Sequence, residues 1–161
     1  MKRLTCLVFV FLIWLLLTWS LDYQQLAAGL ILSVLVTFFV ADTFPSRPGR
    51  LLNPVRWFWL LLYLPYFLYY VVKANLDVAY RVLHPDIPIH PGIVKVKTTL
   101  TTEMGKAFLA NSITLTPGTL VVDIVDQDLY VHWINVTTQD PAEQTKLIVE
   151  NFEPMLRKIF E

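Results

Sequence analysis

The sequence contains little charge and almost no cysteine. Only 16% of its 161 residues are charged, whereas about 25% is usual in a soluble domain. The single cysteine, Cys6, excludes an intrachain disulfide and a cysteine-based metal site. The three histidines, at positions 84, 90 and 132, have no metal-ligand spacing, so we expect neither a zinc site nor a cofactor. The net charge is zero, so no bulk electrostatic argument points to nucleic acid.

Charged residues are also missing from two apolar runs near the N-terminus. Residues 4–19 (LTCLVFVFLIWLLLTW) and residues 26–40 (LAAGLILSVLVTFFV) contain no Asp, Glu, Lys, Arg or His. A membrane-spanning helix needs about 20 predominantly apolar residues, with a range of about 17–25. Because residues 20–25 leave room only for a tight turn, residues 1–41 are predicted to form a transmembrane helical hairpin. The bulky Trp14 and the lack of a small-residue cleavage site argue against a signal peptide.

Basic residues are distributed unevenly around this hairpin. Lys2 and Arg3 precede the first run, the turn carries Asp22 without any Lys or Arg, and residues 41–56 contain three arginines. Lys and Arg favour the cytoplasmic ends of membrane spans. The charge pattern therefore predicts a cytoplasmic N-terminus, a cytoplasmic segment after the hairpin, and Asp22 outside.

A third apolar stretch contains many aromatic residues. Eight of the sixteen residues in 57–72 are aromatic, and Asn53 followed by Pro54 is a typical helix start. We predict a helix over residues 54–83, within a middle region (residues 42–91) that also holds the basic loop and a proline-rich linker. Aromatic rings favour the membrane interface, and an in-plane helix keeps all basic clusters on one side. The sequence favours two spans plus an in-plane third helix, with three spans as the alternative.

Residues 92–161 are more polar and have the pattern of a small soluble domain. Strands are predicted near residues 93–98, 120–125 and 129–136, with a helix from about 101 to 112. A final helix starts at Asp140, and Pro154 is expected to kink it. The predicted fold is thus a membrane α-helical hairpin and a long amphipathic, aromatic helix, followed by a small α+β (β-α-β-β-α) cytoplasmic domain.

Two groups of residues are candidates for contact with other proteins. Small residues in the second run let another helix approach closely, as membrane helix packing requires; these are Ala27, Ala28, Gly29 and Ser33. Hydroxyl and turn residues crowd together in residues 111–119, which we call the NSITLTPGT block; its candidates are Asn111, Ser112, Thr114, Thr116, Pro117, Gly118 and Thr119. The block is interpreted either as a locally hydrogen-bonded turn or as a subunit-docking surface.

Three segments carry a resemblance to a known family. They are KANLD at residues 73–77, ANSITLTPGTLVVDI at residues 110–124, and LYVHWI at residues 129–134. With the apolar hairpin and the aromatic helix, the whole chain resembles the E subunit of the Mrp-type multisubunit Na⁺/H⁺ antiporters. The resemblance implies an accessory, non-catalytic subunit of a membrane complex in the plasma membrane of a bacterium or archaeon, with large multi-span subunits and the lipid bilayer as partners.

The sequence leaves two alternatives open. Related subunits occur in proton-pumping, hydrogenase-like complexes, and the resemblance does not separate that setting from an antiporter. A membrane-tethered binding or sensory module with a small cytoplasmic domain is the other alternative. A membrane enzyme is disfavoured because no nucleophile, base and orienting acid form a recognisable constellation in the sequence.

Overall fold

The structure, a computed structural model, describes residues 2–41 and 53–161 and divides the chain into two compact units. The first unit is Met1–Asn53 and the second is Pro54–Glu161. Most of the predicted basic loop, residues 42–52, lies outside the described residues. In the first unit, α1 (Lys2–Thr18) and α2 (Tyr23–Val40) pack against each other as the predicted hairpin.

Length and apolar composition qualify two of the described helices as candidate membrane spans. They are α2 and the 30-residue helix that opens the second unit, whereas the apolar part of α1, Arg3–Thr18, is shorter than the others. The structure thus has apolar helices long enough for a bilayer followed by a small α+β domain. This agrees with the coarse architecture expected from the sequence.

The second unit begins with the long aromatic helix and continues into a mixed α+β fold. Helix α3 occupies Pro54–Leu83, the bounds predicted from the sequence, and Pro65 lies inside it. The elements that follow are β1 (Gly92–Lys97), α4 (Glu103–Leu115), β2 (Thr119–Val125), β3 (Asp128–Trp133), α5 (Pro141–Ile148) and α6 (Glu153–Phe160).

The three strands form an antiparallel sheet in the order β1-β3-β2. Strand β3 pairs with β1 through positions such as Lys95 opposite Tyr130, and with β2 through positions such as Leu120 opposite His132. A bulge in β2 shifts its register between Val121 and Asp123. Both β1 and β2 are therefore edge strands.

Alternation along the strands places one face of the sheet in the core. Val94 and Val96 of β1 and Leu129 and Val131 of β3 are buried, and α4, α5 and α6 supply the facing apolar side chains. From these helices come Leu109, Ile113, Ile148, Leu156 and Ile159. The opposite face remains open, since Ile93 is 65% exposed. Helices thus cover one face of the sheet, as expected for a small two-layer domain.

Helix α3 forms a further layer over this core. Tyr63 is buried, and Trp59, Phe67 and Tyr70 pack against the same cluster. The ring of Phe152, just before α6, lies 6.1 Å from that of Phe67 and 5.4 Å from that of Tyr70. A sheet of three strands buries little surface alone, and α3 enlarges its core. Helix α3 and the α+β domain thus belong to one compact unit, Pro54–Glu161.

The C-terminal helix differs from the prediction. A single helix kinked at Pro154 was expected, but the chain forms α5 and α6, with a break between Ile148 and Glu153. Pro154 lies in the first turn of α6, where its missing N–H costs nothing because that position has no intrahelical acceptor. The proline therefore starts a new helix instead of bending an existing one.

Candidate functional site: the NSITLTPGT block and the packing surfaces

The NSITLTPGT block links the end of α4 to the start of β2 through a network of local hydrogen bonds. The hydroxyl of Thr116 donates to the carbonyl of Ser112 at 2.7 Å. The hydroxyl of Thr119 donates to the carbonyls of Ile113 at 2.6 Å and Thr116 at 3.0 Å. These bonds supply hydroxyl donors to carbonyls at the end of α4, where the intrahelical set of donors is incomplete; the carbonyl of Ile113 also accepts from the N–H of Thr116 at 3.2 Å. The block thus terminates a helix and starts a strand.

The turn within the block requires glycine. Gly118 has a φ of 96°, which L side chains rarely adopt, and a Cβ there would lie 3.1 Å from Cγ2 of Ile134. The N–H of Thr119 donates to the carbonyl of Thr116 at 3.4 Å, closing the turn around Pro117. Proline at the second position and glycine at the third are what a type II turn prefers.

Thr114 of the block caps the exposed edge of β2. The N–H of Val121 points away from β3 and donates to the Thr114 hydroxyl at 3.2 Å. The next outward N–H along this edge, that of Ile124, donates to the carboxylate of Asp123 at 2.8 Å. Unpaired edge groups invite pairing with another chain. Side-chain oxygens therefore accept the hydrogen bonds of these β2 amides, which would otherwise be free to donate to a further strand.

Ser112 connects the block to α3. Its hydroxyl donates to the carbonyl of Phe108 at 2.7 Å, so the Tyr63 hydroxyl, 2.5 Å away, acts as the donor between the two side chains. Both residues are buried. Ser112 therefore faces the interior of the unit, whereas Asn111 is exposed on the outer surface of α4.

A buried carboxylate that no sequence motif indicates holds the loop after β1. Glu153 is 7% exposed and accepts hydrogen bonds from the Thr98 hydroxyl at 2.7 Å, from the N–H of Thr99 at 3.2 Å and from the Thr99 hydroxyl. The guanidinium of Arg157 lies 2.9 Å away. Because Glu153 and Thr99 are 54 positions apart in the sequence, no local sequence pattern predicts this contact. The carboxylate ties the start of α6 to the loop after β1.

Two charged groups at the surface of the domain have shifted pKa values. The hydrogen bond and the charge of Asp128, 2.6 Å from the Lys95 ammonium, raise the pKa of Lys95 above its usual value. Partial burial opposes ionisation of Glu161, but hydrogen bonds from Thr101 outweigh it and leave the pKa of Glu161 below its usual value. The described residues contain no group of three or more His, Cys, Asp and Glu side chains that could hold a metal ion.

In the hairpin, the predicted small residues separate into two sets. Gly29 and Ser33 are buried, and a Cβ on Gly29 would lie 2.3 Å from Cδ1 of Trp14 in α1. The Trp14 indole N–H donates to the carbonyl of Gln25 at 3.0 Å. Ala27 and Ala28 are exposed. The helix that approaches Gly29 is therefore α1 of the same chain.

A buried seam runs along α2 at intervals of four residues. It consists of Gly29, Ser33, Thr37 and Ala41. In an antiparallel hairpin with Trp14 beside Gly29, Cys6 is level with Thr37, and Cys6 is also buried. Within the described part of the chain, the hydroxyls of Ser33 and Thr37 have no hydrogen-bond partner. Small side chains permit this close packing. In lipid, close van der Waals contact promotes helix association, because no hydrophobic effect acts between helices there.

An apolar helical hairpin followed by a small α+β domain is the architecture of a membrane-anchored protein. Comparison with known proteins identifies the family. The model of the MNHE family, described as a Na⁺/H⁺ ion antiporter subunit, matches residues 7–159. The chain belongs to this family, which confirms the resemblance that its sequence carries.

Individual relatives extend over nearly the whole chain. It is 31% identical to the E1 subunit of the Na⁺/H⁺ antiporter of Staphylococcus epidermidis, covering 94% of this chain and 93% of that protein. It is 32% identical to the E subunit of the Na⁺/H⁺ antiporter of Bacillus subtilis, with 94% of both covered. Among solved structures, a chain of the membrane-bound sulfane sulfur reductase, an archaeal respiratory membrane complex, is 46% identical over 99% of both chains, with a TM-score of 0.77.

Proposed function

We propose that this chain is an accessory subunit of a multisubunit Na⁺/H⁺ antiporter complex, where it supports assembly and activity without a catalytic site of its own. The observation that carries this proposal is the family match over residues 7–159. Its partners are the other, multi-span subunits of the complex and the lipid bilayer. An ion path through hydrocarbon needs ionisable or strongly polar groups facing a polar interior. Helices α1 and α2 contain no Asp, Glu or His, which suits support better than conduction.

A second candidate is the same role in a respiratory membrane complex. The 46% identity to a chain of the membrane-bound sulfane sulfur reductase, over 99% of both chains, favours it. The accessory role is common to both candidates, and the partner set distinguishes them. Extraction in a mild detergent, followed by mass spectrometry of the co-purified proteins, would identify that set. Recovery of the chain without any multi-span partner would contradict both candidates and support a separate sensory module.

The arrangement in the membrane belongs to the same proposal. Helices α1 and α2 span the bilayer as a hairpin, α3 lies in the plane of the interface, and the α+β domain is cytoplasmic. The inner face of α3 supports this, because the Tyr66 hydroxyl donates to the carbonyl of Asn151 at 2.7 Å and Lys158 lies 4.0 Å above the Trp59 ring. A helix crossing the bilayer along its apolar part would carry these charged and polar partners into hydrocarbon, at high cost.

The outer face of α3 supports an interfacial position as well. Over residues 54–72 its exposed side chains are all aliphatic or aromatic, and they include Trp57, Phe58, Leu61, Leu64, Leu68 and Tyr69. The exposed polar side chains Lys73, Asn75 and Asp77 come only after this part of the helix. The domain covers the other side of the helix. A helix with one apolar face toward lipid and a covered opposite face fits the membrane surface, and Trp and Tyr are enriched at that depth.

Cysteine labelling in intact cells tests this arrangement. In a Cys6→Ala background, Asp22→Cys should react with a membrane-impermeant thiol reagent, and Glu150→Cys should react only after the cells are permeabilised. Both positions are exposed, so protection would reflect the membrane and not burial in the fold. Labelling of Glu150→Cys from outside would show that α3 spans the bilayer.

The ratio of transport to assembly tests the accessory role itself. Asp22 is an exposed acid at the start of α2, and its side chain is 3.4 Å from the Ser20 hydroxyl. We expect Asp22→Asn to leave cation/proton exchange per assembled complex unchanged in vesicles from a host without other antiporters. Loss of exchange in a fully assembled complex would instead place Asp22 on an ion path.

A further inference from the structure

The two edges of the sheet differ in how their outward-facing amides are satisfied. In β2, the amides of Thr119, Val121 and Ile124 all have partners in the NSITLTPGT block or in Asp123. In β1, the amide of Lys97 donates to the Thr145 hydroxyl at 3.3 Å, so the middle of α5 closes that end of the edge. The rest of the β1 edge, at Ile93 and Lys95, differs from both of these in how its outward-facing amides are satisfied.

The register identifies which groups of β1 face away from the sheet. The N–H of Thr98 donates to the carbonyl of Gln127, in register with Lys97 opposite Asp128. In an antiparallel ladder, hydrogen-bonded and outward-facing residues alternate. The amides and carbonyls of Ile93 and Lys95 therefore point outward, as the amide of Lys97 does. Among the described residues, neither amide has a partner on that side.

This open edge borders a groove of about 660 Å³. One wall is formed by residues 90–95, and the other is formed by Val136, Gln139, Pro141 and Gln144. The outward-facing N–H and C=O groups of Ile93 and Lys95 match the hydrogen-bonding groups of another extended peptide. Such a peptide would lie about 4.8 Å from β1, the spacing between neighbouring strands. A small polar ligand would not satisfy all four groups at strand spacing.

We propose that the β1 edge at Ile93 and Lys95 accepts an extended segment of another subunit as a fourth strand of the sheet. This inference rests on the proposed function, because the occupant is a component of the same membrane complex. It gives the α+β domain a specific task in assembly: it holds an extended segment of a neighbouring subunit at the membrane surface.

Charge defines the occupant further. On the open face of the sheet, Ile93, Lys95 and Lys97 follow one another along the edge, and Asp128 pairs with Lys95. An added strand paired at Ile93 and Lys95 therefore fits best with an apolar side chain beside Ile93 and a carboxylate beside Lys95, with Lys97 diagonal to that carboxylate. A second copy of this chain is a poor occupant, since antiparallel pairing of two β1 edges would bring lysines of the two copies into neighbouring positions.

Proline substitution tests the proposal without removing a side chain needed by the core. Proline is tolerated on an edge strand where its N–H would face outward. Lys95→Pro removes one outward donor, and Lys95→Ala is its matched control, because it loses the same ammonium and ion pair but keeps the N–H. We expect Lys95→Pro to lower recovery of the intact complex about fivefold relative to Lys95→Ala, the effect of one lost hydrogen bond. Circular dichroism of both purified chains verifies that the fold is kept.

A photo-crosslinking residue in place of Gln139, on the opposite wall of the groove, provides a second readout that does not depend on the proline variant. The expected product joins this chain to one segment of another subunit, and Lys95→Pro reduces it. Equal recovery of the two Lys95 variants, or a crosslink to a second copy of this chain, would overturn the proposal while leaving the accessory role intact. Wild-type chain purified without any partner would overturn both.

Discussion

Glu153 shows how one side chain can determine the conformation of a distant loop. Its carboxylate accepts from two threonine hydroxyls and a backbone N–H, and it contacts Arg157. A buried charge is costly unless it is paired and hydrogen-bonded. Here donors from the loop after β1 surround the carboxylate, so the charge and the loop stabilise each other. The loop leads directly to Thr102, whose hydroxyl caps α4 by accepting from the N–H of Gly105.

Glu153→Gln is expected to lower the free energy of unfolding by about 1–3 kcal/mol, because the amide nitrogen cannot accept hydrogen bonds and leaves buried donors unpaired. Chemical denaturation of the full chain in detergent, followed by circular dichroism, measures this loss. Glu150→Gln is the matched control, since Glu150 is exposed and lies one turn away in sequence. Equal stability of the two variants would show that the Glu153 cluster contributes nothing to the fold.

Residues with local partners were predictable, whereas residues with distant partners were not. The turn at Gly118 and the helix start at Asp140 follow from residues within three positions, and the structure has both. Asp140 accepts from the N–H of Ala142 at 3.2 Å, as its position before Pro141 predicts. Glu153 has the same kind of side chain as Asp140. Its partners, however, reach it only after the sheet and α6 have come together.

At the scale of elements, α3 is a helix whose bounds follow from the sequence but whose packing does not. Its limits follow from the Pro54 start and the proline-rich linker, both of which are local signals. Its packing is a tertiary property. The sequence shows a continuous aromatic stretch, and nothing in it separates Tyr63, which is buried, from Tyr69, which is 62% exposed. Only the position of the domain decides which rings face inward.

The bond between Tyr63 and Ser112 is the polar contact that ties α3 to α4, and a double-mutant cycle can isolate it. Tyr63→Phe and Ser112→Ala should each destabilise the chain by about 0.5–1.5 kcal/mol, and the double variant by less than their sum. Thermal and chemical unfolding of the four chains in detergent gives the coupling. Tyr69→Phe, on the outer face of α3, serves as the control and should be neutral. Strict additivity would mean that the two hydroxyls do not interact in solution.

The predicted final helix is an element that sequence periodicity describes incorrectly. Apolar residues at helical spacing run from Ile148 to Phe160, so one helix was the simplest expectation. The structure breaks this run between α5 and α6, and the ring of Phe152 is directed at Tyr70 of α3. The break turns Phe152 into the core and brings Glu153 to the threonines after β1. Its position follows from contacts with α3 and β1, which sequence periodicity does not contain.

At the scale of the whole molecule, two compact units divide the work that the family membership implies. The hairpin unit is apolar on its outside and closely packed along its seam, as a membrane anchor requires. The second unit combines α3 with the α+β domain and carries most of the charged residues. The family match over residues 7–159 includes both units, and the contribution of the hairpin can be tested separately through the close contact between Gly29 and Trp14.

Gly29→Ala is expected to lower the yield of intact complex, because its methyl group would lie 2.3 Å from the Trp14 ring and force α1 and α2 apart. Trp14→Leu removes the ring, so adding it to Gly29→Ala should restore part of the yield. Ala28→Leu is the control: Ala28 is exposed, and whatever effect it has should not be relieved by Trp14→Leu. Native gel electrophoresis of detergent extracts measures the assembled fraction. If Gly29→Ala assembles like the wild type, or if Trp14→Leu restores nothing, the hairpin seam does not limit assembly and the small residues of α2 act through another contact.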